Sequence, residues 1–236
     1  MKKYLKMTTQ KALSIFGLEI TRGGEALDNE LHIDDSKSSY LPYVVRKFST
    51  IPGMVSLEEG VYLYFLAYSS STTGDIIEIG SWQGRSTSFL AQGCRDSGNG
   101  IVHAIDPFTG NEGKENQYRV EKKDLSDLQQ MFIKNIKDAN LLDYVKLYPV
   151  SAKTARPDLE SISARILFID GNHDYGFVKS DMDMYLSLLK PGGIVVLDDY
   201  RPACSGVVKA VKETLLESNQ YSSFLQTSSF FIAKKK

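Results

Sequence analysis

Two apolar runs in the second half of the sequence end in residues whose types could do chemistry. Asp170 and His173 follow one run, and Asp198 and Asp199 follow the next. Neighbouring strands of a sheet lie about 4.8 Å apart, so Asp170 and Asp198 are expected to be close. Two charges at ~5 Å in an effective dielectric of ~20 repel by roughly 3 kcal/mol, which requires a shared proton or a cation. All-oxygen ligands of this kind suit Mg²⁺.

The same residues also have a plainer interpretation. Carboxylates that follow strands often cap turns or accept hydrogen bonds from backbone donors. A loop histidine such as His173 is often held by a hydrogen bond without any further role. The convergence of four such residues on two strand ends favours the chemical interpretation.

A glycine-bearing turn joins an apolar strand to a helix in the segment 75–87. Gly80 and Gly84 let the backbone turn sharply and approach a ligand closely, and the following helix presents free backbone N–H groups. This arrangement favours a nucleotide-like ligand. Glu78 lies inside the apolar strand, where a carboxylate is costly unless it meets a donor, so it is either a bonded structural anchor or a ligand contact.

An acidic residue also follows the second predicted strand. Asp106 lies 22 positions after Gly84, near the spacing at which an acidic side chain meets a ribose hydroxyl in nucleotide-binding folds. The alternative is a turn cap before Pro107. A dinucleotide fingerprint would need glycine at the positions of Trp82 and Arg85, so NAD is disfavoured.

From Asp75 onward, short apolar strands alternate with helices, which predicts an α/β fold with a mostly parallel sheet covered by helices on both faces. The predicted strands are Ile76–Ile79, Ile101–Ile105, Val145–Val150, Arg165–Ile169 and Ile194–Leu197, with Tyr221–Leu225 and Ser229–Ala233 as a C-terminal antiparallel hairpin. The predicted helices are Arg85–Gln92, Leu128–Ala139, Ala152–Leu159, Phe177–Leu189 and Val207–Glu217. In the fourth helix, Asp181 and Asp183 are expected to face solvent.

The chain is predicted to consist of an N-terminal extension, residues 1–55, and a domain, residues 56–236. A capping-box pattern at Ser56 and Glu59 predicts a helix before the first strand. Helical apolar spacing from Tyr4 to Ile20 suggests that the extension is a cap, a lid or an oligomer arm, which makes a homo-oligomer an expectation. The long polar insertion Phe108–Asp127 is typical of a lid.

The composition excludes several classes of function. A chain of 236 residues with 42% hydrophobic and 24% charged residues is typical of one soluble globular domain, and its net charge of −1 gives no basic footprint for nucleic acid. No apolar run approaches the ~20 residues that span a bilayer, and no secretory signal is recognisable, so we expect a cytoplasmic enzyme. Cys94 and Cys204 have no partner at metal-ligand spacing, which argues against a disulfide scaffold and a structural zinc site.

The glycine loop and the separate acid resemble class I S-adenosylmethionine-dependent methyltransferases over residues 56–200. The resemblance implies a Rossmann-like, doubly wound seven-stranded sheet, in which Gly80, Ser81 and Gly84 cradle the methionine part of the cofactor and Asp106 binds the ribose. The full set of predicted cofactor contacts is Glu78, Gly80, Ser81, Gly84, Ser86, Asp106, Pro107, Phe108, Ser151, Ala152 and Asp170. Pro107, Phe108, Ser151 and Ala152 would flank the adenine.

The Asp-Gly-Asn-His-Asp-Tyr and Leu-Asp-Asp-Tyr stretches resemble the branch that contains the macrocin and mycinamicin sugar O-methyltransferases and the cephalosporin hydroxylase-like proteins. The resemblance implies that Asp170, Asp198 and Asp199 hold Mg²⁺ and that His173 is the general base. Catechol and caffeoyl-CoA methyltransferases usually carry Asn where Asp199 stands, which favours the sugar-type branch.

The sequence therefore predicts an O-methyltransferase that uses S-adenosylmethionine and Mg²⁺. Its substrate is expected to be a hydroxyl of a small molecule, such as a sugar or a glycosylated metabolite. Two alternatives stay open at this point: a metal-independent methyltransferase, and a non-catalytic module that binds S-adenosylmethionine.

Overall fold

A seven-stranded sheet lies at the centre of the computed structural model, which describes residues 40–110, 127–227 and 229–236. Its strands are β1 (Asp75–Ile79), β2 (Val102–Ile105), β3 (Val145–Tyr148), β4 (Ala164–Ile169), β5 (Leu189–Leu197), β6 (Tyr221–Gln226) and β7 (Phe231–Lys235). Their order across the sheet is β3-β2-β1-β4-β5-β7-β6. The first five in this order run parallel, and β7 pairs antiparallel with β5 and β6. The predicted mostly parallel sheet with a C-terminal antiparallel hairpin is confirmed.

Helices cover both faces of the sheet. In chain order they are α1 (Tyr40–Phe48), α2 (Leu57–Ser69), α3 (Arg85–Ser97), α4 (Leu128–Asp138), α5 (Ala152–Ala155), α6 (Tyr175–Tyr185) and α7 (Ser205–Val211). Short 3₁₀ turns lie at Leu142–Tyr144, Arg156–Leu159 and Leu186–Leu188, and a π-helical turn, Lys212–Leu216, extends α7. None of the helices in the described ranges is long and apolar enough to cross a membrane.

Two hydrophobic cores separate the sheet from its helices. Side chains alternate across a strand, so Ile76 of β1 joins the core under α1 to α4, whereas Ile77 and Ile79 join the core under α6 and α7. Phe48 and Phe89 meet edge to face in the first core, with ring centroids 5.1 Å apart. The strands are therefore buried on both faces, as expected of a doubly wound sheet.

The predicted capping box at the start of α2 is confirmed. The Ser56 hydroxyl accepts a hydrogen bond from the Glu59 backbone N–H, and the Glu59 carboxylate accepts one from the Ser56 backbone N–H at 2.7 Å. Two of the otherwise unpaired N–H groups of this helix end are thereby satisfied.

The predicted helix Phe177–Leu189 is wrong at its C-terminal end. Its α-helical part ends at Tyr185, and Leu189 is the first residue of β5, where it pairs with Ala164. An irregularity in the β4–β5 register accommodates the turn-forming residues 190–193 inside the strand. The predicted boundaries of the other elements are shifted by a few residues, as is usual for element ends.

The expectation that Asp181 faces solvent is also wrong. Asp181 is half-buried on α6, and burial raises the pKa of its carboxyl to about 7. It is three residues after Val178 and four before Tyr185, which are both buried, so helical spacing places it on the inner face. Asp183, in contrast, is exposed and pairs with Lys179.

Residues 40–55, at the end of the predicted extension, pack on the same core as the domain. Val44 and Phe48 of α1 are fully buried. The Arg85 guanidinium donates hydrogen bonds to the carbonyl oxygens of Ile51, Gly53 and Val55, which joins this segment to the start of α3. The predicted helix at Tyr4–Ile20 and most of the predicted lid at Phe108–Asp127 lie outside the described residues.

A buried arginine joins three segments at the end of the sheet where the parallel strands begin. Arg165 of β4 is fully buried and donates hydrogen bonds to the carbonyl oxygens of Ala67 at 2.7 Å, Gly74 at 2.8 Å and Asn99 at 2.7 Å. It also contacts the sulfur of Cys94 at 3.3 Å. Because a buried charge is costly unless it is fully hydrogen-bonded, this set of acceptors explains how the guanidinium is tolerated.

Replacing Arg165 with alanine is expected to lower the free energy of unfolding by about 3 kcal/mol or more, because three carbonyl groups would lose a charged donor. Urea unfolding followed by circular dichroism measures this change. Lys134→Ala is the matched control, because its ion pair with Asp138 is exposed and such pairs contribute ~1 kcal/mol or less. Equal losses for the two variants would contradict the structural role of Arg165.

Candidate functional site

The strand order reverses between β1 and β4, and the loops that follow these strands meet at this point. A Cβ atom at Gly80 would lie 2.0 Å from the carbonyl oxygen of Asp170, and Gly80 has φ 88°. Only glycine fits such an approach without strain. In open α/β sheets, ligands bind beyond the carboxyl ends of the strands at such a reversal, so this edge is the candidate site.

Asp106 orders the loop after β1. One of its carboxylate oxygens accepts hydrogen bonds from the backbone N–H groups of Ser81 at 2.9 Å and Trp82 at 2.8 Å, and the other accepts one from Phe108 at 2.7 Å. These three hydrogen bonds agree with the interpretation of Asp106 as a turn cap. A carboxylate has about four acceptor positions, so its predicted contact with a ribose stays a prediction.

Glu78 is fully buried beneath the same loop. Its Oε2 atom accepts hydrogen bonds from the hydroxyl groups of Ser81 at 3.1 Å and Thr87 at 2.5 Å. Its Oε1 atom is also buried, and no described residue forms a hydrogen bond with it. Burial raises the pKa of the Glu78 carboxyl to about 7, against the lowering effect of the hydroxyl donors. Ser86 also contributes a hydrogen bond that lowers the pKa of Glu78, and the buried Oε1 atom makes its contact with a cofactor a prediction.

The other residues predicted to contact the cofactor lie at the ends of β1, β2 and β3. After β1, Gly84 precedes α3, and Ser86 is buried in the first turn of this helix. After β2, Pro107 is exposed. Phe108 is buried with its ring 5.8 Å from that of Phe132. Ser151 is exposed and caps α5, whose first residue is Ala152. The structure places these residues on one edge of the sheet, and their contacts with a cofactor stay predictions.

Three of the strand ends carry a strained residue. Trp82 after β1, Phe108 after β2 and Asp199 after β5 have φ values of 46°, 55° and 54°. Residues other than glycine adopt this left-handed conformation at a cost, and such strain concentrates at functional sites. Its recurrence at one edge of the sheet supports a site there.

Asp170, Asp198 and Asp199, here called the acidic cluster, come together at the ends of β4 and β5. Each offers one carboxylate oxygen, and these atoms lie within 4.8 Å of one another. The predicted proximity of Asp170 and Asp198 is confirmed. A small cavity of about 10 Å³ is lined in part by Asp170, Asp198 and His173, whereas Asp199 does not line it.

The carboxylates of the acidic cluster are unequally charged. Burial and the charges of Asp198 and Asp199 raise the pKa of Asp170 well above its usual value. Burial raises the pKa of Asp198 to about 6, although a backbone hydrogen bond from Asp199 opposes the shift. Burial would raise the pKa of Asp199 as well, but His173 and Arg201 outweigh it and keep that pKa low. In the absence of a cation, a proton on Asp170 therefore relieves part of the repulsion among the three acids.

His173 lies directly against the acidic cluster, as the sequence predicts. Its Nε2 atom is 2.7 Å from a carboxylate oxygen of Asp199, and the other oxygen of Asp199 pairs with the Arg201 guanidinium. The hydrogen bond with Asp199 raises the pKa of His173, although burial opposes this. Of the other two histidines, His103 is buried between Tyr148 and Asp75, which gives it a structural role, and His32 lies outside the described residues.

Ser229 and Glu59 support the site, and the sequence does not predict this role for either residue. The Ser229 hydroxyl donates a hydrogen bond to the Glu59 carboxylate, and a hydrogen bond between Ser229 and Asp198 lowers the pKa of Asp198. The Ser229 carbonyl also accepts a hydrogen bond from the Tyr200 N–H at 2.7 Å. These contacts join the start of α2 and the β6–β7 connection to the acidic cluster. Only the three-dimensional pairing of β7 with β5 reveals them.

Solved structures with this fold include known methyltransferases. The O-methyltransferase from Bacillus cereus in complex with SAH is 23% identical, covers 87% of this chain and 93% of its own, and has a TM-score of 0.60. NovP, an O-methyltransferase, is 17% identical, with coverages of 85% and 99% and a TM-score of 0.65. The O-methyltransferase TomG from Streptomyces achromogenes is 19% identical, with coverages of 98% and 100% and a TM-score of 0.61. At these identities the likeness concerns the fold.

The sequence comparisons lie over the same part of the chain. An uncharacterised protein, R132, of Acanthamoeba polyphaga mimivirus is 30% identical over 128 residues, which are 53% of this chain and 51% of that protein. The chain thus spans about half the length of this curated relative. The family model described as a methyltransferase domain matches residues 77–200, from β1 to the residue after Asp199, and this is more than half of the sequence. The chain therefore belongs to this family of methyltransferase domains.

Proposed function

We propose that this chain transfers a methyl group from S-adenosylmethionine to a hydroxyl group of a small molecule, with Mg²⁺ held by the acidic cluster. The observation that carries the proposal is the contact between Gly80 and Asp170, which sets the loop after β1 beside the acidic cluster. The names of the three O-methyltransferases with the same fold support oxygen as the acceptor atom. The net charge of −1 favours a small molecule over nucleic acid.

The residues around the loop after β1 fit S-adenosylmethionine, which supplies an activated methyl group on a sulfonium ion. The unpaired Oε1 of Glu78 would accept a hydrogen bond from the cofactor's ammonium group, and burial makes such a charged pair strong. Asp106 would bind the ribose with the acceptor capacity that its three backbone bonds leave. Residues after β2 and β3 would flank the adenine, farther along the same edge.

The acidic cluster fits a divalent cation. Three carboxylates within 4.8 Å repel one another, and a hard cation with oxygen ligands removes this repulsion. When bound, Mg²⁺ supplies Lewis acidity that lowers the pKa of a substrate hydroxyl.

His173 is proposed to accept the proton of the substrate hydroxyl. Asp199 binds Nε2 of the ring at 2.7 Å, which leaves Nδ1 for the substrate. The same hydrogen bond fixes the orientation of the ring, as a carboxylate commonly does for a catalytic histidine. The sugar-type branch that the sequence resembles makes a sugar or glycosylated hydroxyl the proposed acceptor.

The function is tested with methyl-labelled S-adenosylmethionine and a panel of sugars, glycosylated metabolites and catechols. Label is expected in an oxygen-methylated product with Mg²⁺ present, with a loss of at least about tenfold in turnover after chelation. Asp198→Asn, which keeps the side-chain shape, is expected to lose the stimulation by Mg²⁺. Full turnover after chelation would leave a metal-independent methyltransferase, and failure to bind S-adenosylmethionine would contradict the cofactor.

Replacing His173 with glutamine is expected to reduce turnover by about 10²- to 10⁴-fold, the usual contribution of a general base. Binding of S-adenosylhomocysteine, measured by calorimetry, should stay unchanged, because the hydrogen-bond partner of His173 is Asp199 at the end of β5. Lys179→Ala is the control on the neighbouring helix, where its pair with Asp183 is at the surface. Wild-type turnover in His173→Gln would rule out the base assignment.

The stability of the ligand-free protein is expected to fall as the pH rises towards 7 because of Glu78. Its pKa in the folded state is about 7, above the ordinary value of 4.5. The folded state therefore holds the extra proton between these two values. Its stabilising effect is complete below pH 4.5 and is lost as the pH rises through 7, a change of about 3 kcal/mol.

Glu78→Gln removes this titration. The contribution of Glu78 is therefore measured as the difference in unfolding free energy between the wild type and Glu78→Gln, followed from pH 5 to pH 8. The wild type is expected to lose stability relative to the variant, and S-adenosylhomocysteine should reduce that loss by pairing with Glu78. A difference that does not change with pH would contradict the account of Glu78.

A further inference from the structure

A second group of metal-binding side chains overlaps the acidic cluster. His173, Asp199 and Cys204, here called the mixed cluster, each offer one ligand atom, and these atoms lie within 4.8 Å of one another. They come from the loop after β4, the end of β5 and the start of α7. Metal-ligand spacing along the sequence does not reveal this group, because three separate elements contribute to it.

Gly206 allows Cys204 to lie close to His173. A Cβ atom at Gly206 would lie 2.3 Å from the His173 carbonyl oxygen and 2.5 Å from the Tyr175 backbone nitrogen. The first turn of α7 therefore packs directly on the backbone that carries His173. The Cys204 N–H also donates a hydrogen bond to the Arg201 carbonyl at 2.9 Å, which closes the turn from Asp199. Backbone contacts thus hold the mixed cluster together.

The mixed cluster offers a nitrogen, an oxygen and a sulfur atom. Mg²⁺ binds oxygen ligands, whereas Zn²⁺ binds Cys, His and carboxylate groups together. Zinc bonds of about 2.0 to 2.3 Å in a tetrahedron separate the ligand atoms by ~3.3 to 3.8 Å. The observed upper limit of 4.8 Å lies above this range, and the distance of 2.7 Å between His173 and Asp199 lies below it. The three side chains would therefore have to adjust when a metal binds.

We propose that the mixed cluster is a binding site for Zn²⁺ or a similar divalent transition metal. The Cys204 thiol would release its proton to solvent on binding, and water would take the fourth position. A metal at the mixed cluster would displace the Arg201 guanidinium from Asp199, and the charge of the metal would replace that of the arginine. The acidic cluster and the mixed cluster share Asp199, and occupation of one weakens the other.

Binding at the mixed cluster has a consequence that rests on the proposed function. Zinc would engage the proposed base, His173, and one proposed Mg²⁺ ligand, Asp199. Micromolar transition metal would therefore inhibit methyl transfer, and excess Mg²⁺ would relieve the inhibition. The binding itself depends only on the three side chains.

Cobalt(II) titration of the full chain tests the site, because a cobalt–thiolate bond gives a near-ultraviolet charge-transfer absorption. The absorption is expected in the wild type and lost in Cys204→Ser. Serine is a favourable residue at the start of a helix, so this variant is expected to fold. Cys94→Ser is the matched control, because Cys94 is the other of the chain's two cysteines and contacts Arg165. Zinc affinity, measured against a chromophoric chelator, should fall at least about tenfold in Cys204→Ser.

The absence of the absorption in the wild type, or its full retention in Cys204→Ser, would overturn the proposal. Neither readout depends on methyl transfer. Turnover without a cobalt–thiolate absorption would therefore contradict the mixed cluster alone, whereas the absorption without turnover in any assay would count against the proposed function alone.

Discussion

The contact between Gly80 and the Asp170 carbonyl is the constraint on which the site depends. No side chain fits at position 80, since its Cβ atom would lie 2.0 Å from that oxygen. This contact joins the loop after β1 to the loop after β4 across the reversal of strand order. Asp106 then fixes the rest of the first loop through the backbone N–H groups of Ser81 and Trp82. A rigid loop of this kind holds a ligand in one position, which is a large part of what a transferase must do.

Electrostatic repulsion is the second constraint on this edge of the sheet. Asp170, Asp198 and Asp199 are drawn together by the pairing of β4 with β5, not by any attraction of their own. Within the described residues, His173 and Arg201 neutralise Asp199, while the pKa values of Asp170 and Asp198 are raised. Asp199 therefore connects the proposed base, the acidic cluster and the mixed cluster, and a cation at either cluster changes what His173 contacts.

The sequence predicts the fold and the positions of the main candidate residues because both follow from local patterns. Alternating strands and helices predict a parallel sheet, and the ends of parallel strands share one edge, so Asp106, Asp170 and Asp198 could be placed there. Ser229 and Cys204 could not be placed, because their positions depend on how β7 and α7 pack, which has no local pattern. The error at Asp181 is different: its spacing from Val178 and Tyr185 already places it on the buried face of α6.

The central claim is that one edge of the sheet holds both the cofactor and a cation. Crystals grown with S-adenosylhomocysteine and Mn²⁺, in place of Mg²⁺, test it by anomalous scattering. The account predicts one manganese peak within about 2.5 Å of carboxylate oxygens of Asp170, Asp198 and Asp199, with the cofactor over Gly80 and its ammonium group near Glu78. A cofactor bound elsewhere, or no metal at the three carboxylates, would contradict it.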